Sequence, residues 1–154
     1  MSIQRSLGRF VVVALATLAT GAAVAQDARV AQQIKYRQGA YTVLGAQIGM
    51  MGAMASGKAP YDAAAFKVAA ERAAFMATVV PDVFPAGSDV GNTKAKSDIW
   101  KNQPEFQKLL GDLRDKTAAL AAATKTATSL DALKPAFGAA TQTCKACHDK
   151  YKAD

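Results

Sequence analysis

Two cysteines and a single histidine occur in the 154 residues, and all three fall in Cys144-Lys145-Ala146-Cys147-His148. The pattern is C-x-x-C-H, the spacing at which a c-type haem is attached. In that chemistry the Cys144 and Cys147 thiols add to the haem vinyl groups as thioethers, and His148 gives its imidazole to the iron. On a helix, positions i, i+3 and i+4 share one face, so the three side chains point to one flat ligand. The alternatives are a local disulfide, a thioredoxin-like redox pair or a zinc site. A redox pair sits at the start of a helix after a buried strand, and no strand pattern precedes Cys144. Zinc needs a fourth ligand and usually a second Cys/His pair, which the chain does not have.

The elements that position this motif read as four helices. The first spans about 28–55, where Ile34, Tyr41, Leu44, Ile48, Met51 and Ala55 recur at three- and four-residue steps. Gly57 is placed to cap its end and Pro60 to stop it. The second spans about 62–80, with Asp62 as cap, Phe66, Ala69, Ala73, Met76 and Val80 as its stripe, and Pro81 as its end. A long connection, 81–103, follows; its apolar anchor is Ile99-Trp100, and Trp100 reads as a plug that pins the loop rather than as a ligand. The third helix spans about 104–127 and turns Phe106, Leu109, Leu113, Leu120 and Thr124 inwards. The last starts at 128–131, where Thr128 and Asp131 have capping-box spacing, and carries Leu133, Phe137, Ala140, Cys144, His148 and Tyr151 towards the core. Pro135 fits only because that helix begins so close before it. This is an all-α chain, an antiparallel up-down-up-down four-helix bundle.

The first helix carries Gly39, Gly45, Gly49 and Gly52, each costing about 1 kcal/mol relative to alanine in a helix interior. Gly45, Gly49 and Ala53 recur at four-residue steps. Either another backbone approaches there, from the second helix or from a second subunit, or strong packing tolerates the cost.

Residues 1–25 read as a secretory signal peptide that is removed. Arg5 and Arg9 form a basic region, 10–20 is an apolar run short for a bilayer, and Ala23-Val24-Ala25 is an A-x-A cleavage site before Gln26. The alternative is an uncleaved anchor. Cleavage leaves one domain, 26–154, exported to the periplasm, where c-type haem is attached. The formal charge is +7, of which Arg5 and Arg9 supply two, so the remaining chain is +5. Acids and bases alternate, as in Asp112-Leu113-Arg114-Asp115-Lys116, with no basic block interleaved with aromatics. That excludes a nucleic-acid surface, and no segment after 25 could span a membrane.

With C-x-x-C-H on the last of four helices, the chain resembles cytochrome c prime, a class II c-type cytochrome and itself an up-down bundle. The resemblance runs through Lys35-Tyr36-Arg37-Gln38, Ala59-Pro60-Tyr61-Asp62, Ile99-Trp100, Ala136-Phe137-Gly138, the haem motif and Tyr151. It implies one covalently bound haem c with a five-coordinate, high-spin iron and an apolar distal face. Such proteins bind NO and CO, discriminate against O2, exchange electrons with redox partner proteins and usually form homodimers through the first two helices. By the same resemblance Arg37 and Gln38 contact the haem propionates, against an ordinary surface ion pair for Arg37. Tyr41 takes the distal position, which in low-spin relatives supplies a methionine ligand. The family's Arg after the last tyrosine is replaced by Lys152. The expected role is sequestration or transfer of NO with some electron transfer; the alternative is a low-spin, Met-ligated electron carrier. An enzyme of peroxidase type lacks a distal acid–base group, because the one histidine is committed to iron.

Overall fold

The computed structural model describes residues 4–153, with side chains from Gln26 to Ala153. The signal peptide expected at 1–25 lies outside the residues whose side chains are described. Helix α1 (Gln4–Ala55) ends where Gly57 adopts φ 75°, a left-handed turn that a Cβ would resist. The Gly57 N–H donates to the Met54 carbonyl and the Ala59 N–H to that of Ala53, each at 3.1 Å. Helix α2 (Ala63–Val79) starts at Asp62, whose carboxylate accepts from the Ala64 and Ala65 N–H groups at 2.9 and 3.0 Å. Its inner face is Phe66 and four fully buried alanines, 69, 70, 73 and 77, so neighbouring helices come close without side-chain ordering.

Pro81 does not stop the chain outright. The helix tightens into a 3-10 turn, Val80–Val83, before the crossing loop begins. That loop holds a single helical turn, α3 (Asp98–Lys101), which buries Ile99. Helix α4 (Gln103–Ala123) begins with Pro104 in its first turn, where no intrahelical N–H bond is needed. It ends at Ala123, four residues before the expected 127, because 124–126 close as a turn with the Ala127 N–H on the Ala123 carbonyl. Helix α5 (Leu130–Tyr151) is capped by Ser129 rather than Thr128; the Ser129 hydroxyl accepts from Ala132 N at 3.4 Å. Pro135 stands in the second turn, and the carbonyl it leaves unbonded belongs to solvent-exposed Asp131.

The result is the expected all-α bundle. α1 packs on α2, α2 on α4 and α4 on α5, whereas α1 and α5 meet only briefly. Their separation leaves a cavity beside the C-terminal half of α5. The crossing loop closes one end of it. Lys96 N donates to the Tyr151 carbonyl at 2.9 Å and Ala153 N to the Lys94 carbonyl at 2.8 Å, so the Ala95–Lys152 bridge fastens the loop to the end of α5. Among the described residues no helix is long and apolar enough to cross a membrane.

Candidate functional site

Cys144, Cys147 and His148 all line this cavity, as their one-face spacing requires. Its volume is about 580 Å³, within the roughly 300–1,000 Å³ of cofactor sites. Helix α4 supplies an apolar floor of Phe106, Leu109, Leu110 and Leu113. Both cysteines are free thiols. Burial pushes both upward in pKa, Cys147 to about 11 with Cys144 adding to the effect. A thioredoxin-like nucleophile needs the opposite shift, and these thiols sit near the C-terminal end of α5, where the helix dipole disfavours a thiolate. His148 is shifted downward by burial and then by the Lys152 ammonium, which favours the neutral imidazole that ligates iron. No three His, Cys, Asp or Glu among the described residues are placed to hold a bare metal ion.

Helix α1 forms the facing wall. Tyr41 projects into the cavity opposite the thiols and packs edge-on against Phe84 of the crossing loop, with ring centroids 6.1 Å apart. Phe84 meets Phe106 edge-to-face in turn, with centroids 4.8 Å apart, and Phe106 meets Tyr151 likewise at 5.3 Å. A chain of rings thus fixes the Tyr41 ring. Burial raises the Tyr41 hydroxyl far above its ordinary range, and the two facing thiols add to that. Gly45 is on the same wall, and a Cβ built there meets nothing within 4 Å; the same holds for Gly49. Neither glycine accommodates α2, so the close approach expected of the second helix does not occur at these positions. No methionine lines the cavity among the described residues: Met51 and Met54 are buried in the core and Met50 is exposed.

At one end of the cavity the lining turns polar. Arg37 is not a surface ion pair: it is 4% exposed. Its guanidinium lies 4.9 Å from the Phe84 ring centroid and 5.8 Å from that of Trp100. It donates to Ser88 and Thr93, and no carboxylate pairs with it among the described residues. Burial lowers its pKa from the ordinary arginine value, although an arginine stays charged regardless. Gln38, beside it, donates to the Asn92 carbonyl at 2.8 Å. Trp100 stays off the cavity wall and donates its indole N–H to the Pro85 carbonyl at 3.0 Å, which is the plug expected of it. Phe84, Thr93 and Lys94 were not apparent as site residues. Phe84, with Trp100 one of two aromatic residues in the 81–103 connection, could have been singled out; Thr93 and Lys94 carry no sequence signal.

A family profile described as Cytochrome C' matches residues 32–152. The chain belongs to the cytochrome c prime family. It is 39% identical over 123 residues to the cytochrome c' of Rubrivivax gelatinosus, covering 77% of this chain and 92% of that one. Among solved structures, the fold is similar to cytochrome c prime from Shewanella frigidimarina, with TM-score 0.78 and 39% identity over 81% of this chain and 97% of that one. It is also similar to a nitric oxide complex of a mutant cytochrome c prime from Alcaligenes xylosoxidans, with TM-score 0.73 and 33% identity, covering 81% of this chain and 97% of that one. Membership brings the four-helix fold and a c-type haem as the cofactor of the family. The residues present fit that group. A cavity of suitable size carries two thiols and a neutral imidazole on one wall, and a buried cation without a carboxylate partner at its polar end.

Proposed function

We propose that this chain, after removal of residues 1–25, is a periplasmic haem protein that binds NO and CO at an iron held on one side only. One haem c is attached through Cys144 and Cys147, and His148 is the axial ligand. When bound, the haem supplies a redox-active iron able to coordinate diatomic gases. The protein's part is to hold, shield and select. The apolar floor of α4 excludes water, and Arg37, with Gln38 beside it, provides the positive charge that buried propionates need. Tyr41 stands where a sixth ligand would have to enter. Its hydroxyl, pushed further from ionisation, stays a neutral phenol and a poor iron ligand.

The observation that carries the five-coordinate reading is the composition of the wall facing His148, which holds Tyr41 and no methionine. The low-spin alternative needs a thioether there and finds none among the described residues. Binding of nitric oxide by the Alcaligenes xylosoxidans relative supports the choice of ligand. Among the described residues the cavity lining holds one histidine, the residue assigned to iron, and no carboxylate, which favours carriage or sequestration with electron exchange over catalysis.

Homodimer formation belongs to the same reading. Val43 and Met50 on α1 and Val68 and Phe75 on α2 are exposed, each pair seven residues apart. Exposed apolar side chains on both helices of the α1–α2 hairpin are the surface this reading assigns to a second copy. Acid-acetone extraction tests the attachment. Haem should stay with the protein in wild type, be held by one bond or lost in Cys144→Ser or Cys147→Ser, and extraction from wild type would refute the covalent link.

A further inference from the structure

The bridge between the crossing loop and the end of α5 gathers charge as well as backbone bonds. Lys96 N donates to the Tyr151 carbonyl and Ala153 N to the Lys94 carbonyl. With Ala95 opposite Lys152, this sets Lys94 and Lys96 beside Lys152, although more than fifty residues of chain separate the two segments. Neither segment is a basic block by itself; the fold makes one.

The acids around this seam are already spent. Asp98 pairs with Lys101 at 3.4 Å, Asp149 with Lys145 at 2.6 Å, and Glu105 with Lys150. Lys94, Lys96 and Lys152 make no ion pair among the described residues. Three uncompensated ammonium groups therefore stand together. They stand at the mouth of the cavity, since Lys94, Ala95 and Lys152 all line it. His148 lines it beside them and is itself exposed to solvent. An electron that leaves an iron through its imidazole ligand thus reaches the surface inside the basic patch.

We propose that the seam of Lys94, Lys96 and Lys152 is the docking surface for an acidic redox protein, which exchanges one electron with the haem through the exposed edge of His148. The iron passes from ferrous to ferric as the partner's centre gains the electron; no bond forms or breaks and no proton moves. Lysine ammonium groups are compact, strongly hydrated charges on flexible stems. They steer an oppositely charged surface into place without locking it there, which suits a partner that must leave after each transfer. The proposal rests on the haem reading and names the kind of redox partner it serves.

The test mixes reduced holoprotein with oxidised plastocyanin, an acidic copper protein, and follows oxidation of the haem iron by Cu(II) in stopped flow across ionic strength. The rate should fall as salt rises, because screening shortens the reach of the patch. Lys96→Glu should slow the reaction roughly tenfold at low ionic strength and flatten its salt dependence. Lys58→Glu and Lys125→Glu impose the same change in net charge in the turns after α1 and α4, at the other end of the bundle, and should stay near wild type. The midpoint potential of each variant, measured alongside, removes any change in driving force. Equal slowing by seam and far-end variants would show a net-charge effect and overturn the proposal, as would a rate indifferent to salt. If Lys96→Glu does not fold, Lys94→Gln with Lys152→Gln decides in the same way: slowing upholds the proposal and an unchanged rate overturns it. A seam variant that loses binding to phosphatidylglycerol vesicles yet reacts with plastocyanin as wild type does would also overturn it, in favour of an anionic membrane. Haem that acid acetone extracts freely from wild type would sink the attachment reading instead, a separate outcome.

Discussion

In the proposed reading, position 41 sets what can reach the iron from the α1 side. The Tyr41 ring is braced by Phe84 and partly buried, so a gas entering the sixth site must displace packed atoms. Tyr41→Ala removes them and should bind CO faster and more tightly. Full burial of an aromatic ring would make its loss cost roughly 3–5 kcal/mol; partial burial places this variant at the lower end, readable by denaturant titration. Tyr41→Met supplies a thioether and should turn the site low-spin and slow CO entry. Three equal CO association rates would mean that Tyr41 does not control the site. That Cys144, Cys147 and His148 share one cavity wall was legible in the sequence because the grouping is local, three residues within one and a half turns. Arg37 was legible only by resemblance, since its partners Ser88 and Thr93 lie more than fifty residues away and nothing in the chain announces that pairing.

Elements bear the site through their ends as much as their faces. Asp62 satisfies two N–H groups at the start of α2, and Asp62→Ala should cost about 1 kcal/mol, measured by chemical unfolding. Glu105 of α4 accepts from Lys150, Tyr151 and Asn102, and those donors, Lys150 first, hold its carboxyl below the usual range. The sign follows: its contribution is present above the ordinary carboxylate pKa and is lost as pH falls through the lowered one. Glu105→Gln should therefore unfold at a less acid pH than wild type and show a shallower loss of stability on acidification, with α5 as the element released. The four stripes were legible from periodicity, and Gly57 from its place after the last apolar residue. The cap of α5 was not, because Thr128 and Ser129 are equally good caps and the turn that closes at Ala127 decides between them. The crossing loop was readable as a connection but not as a cavity wall, since its fold is set by Arg37 and by the tail after α5, both remote in sequence.

At the scale of the molecule, separation of α1 from α5 produces the cavity, and the exposed Val43, Met50, Val68 and Phe75 of the α1–α2 hairpin are apolar surface for the proposed second copy. Phe75 is 66% exposed, the most solvent-open aromatic ring among the described residues. Phe75→Glu should shift the protein towards monomer in sedimentation without altering its haem spectrum. At Gly49 a Cβ meets nothing within 4 Å, so Gly49→Leu should leave the fold of the single chain intact, and a shift of that variant to monomer would place the interface on the glycine face of α1. The central claim, an iron ligated by His148 alone beneath a closed but unfilled site, is tested most directly by the visible spectrum of the oxidised holoprotein. A high-spin spectrum without a sulfur–iron charge-transfer band near the red end is predicted, and a low-spin spectrum carrying that band would contradict it.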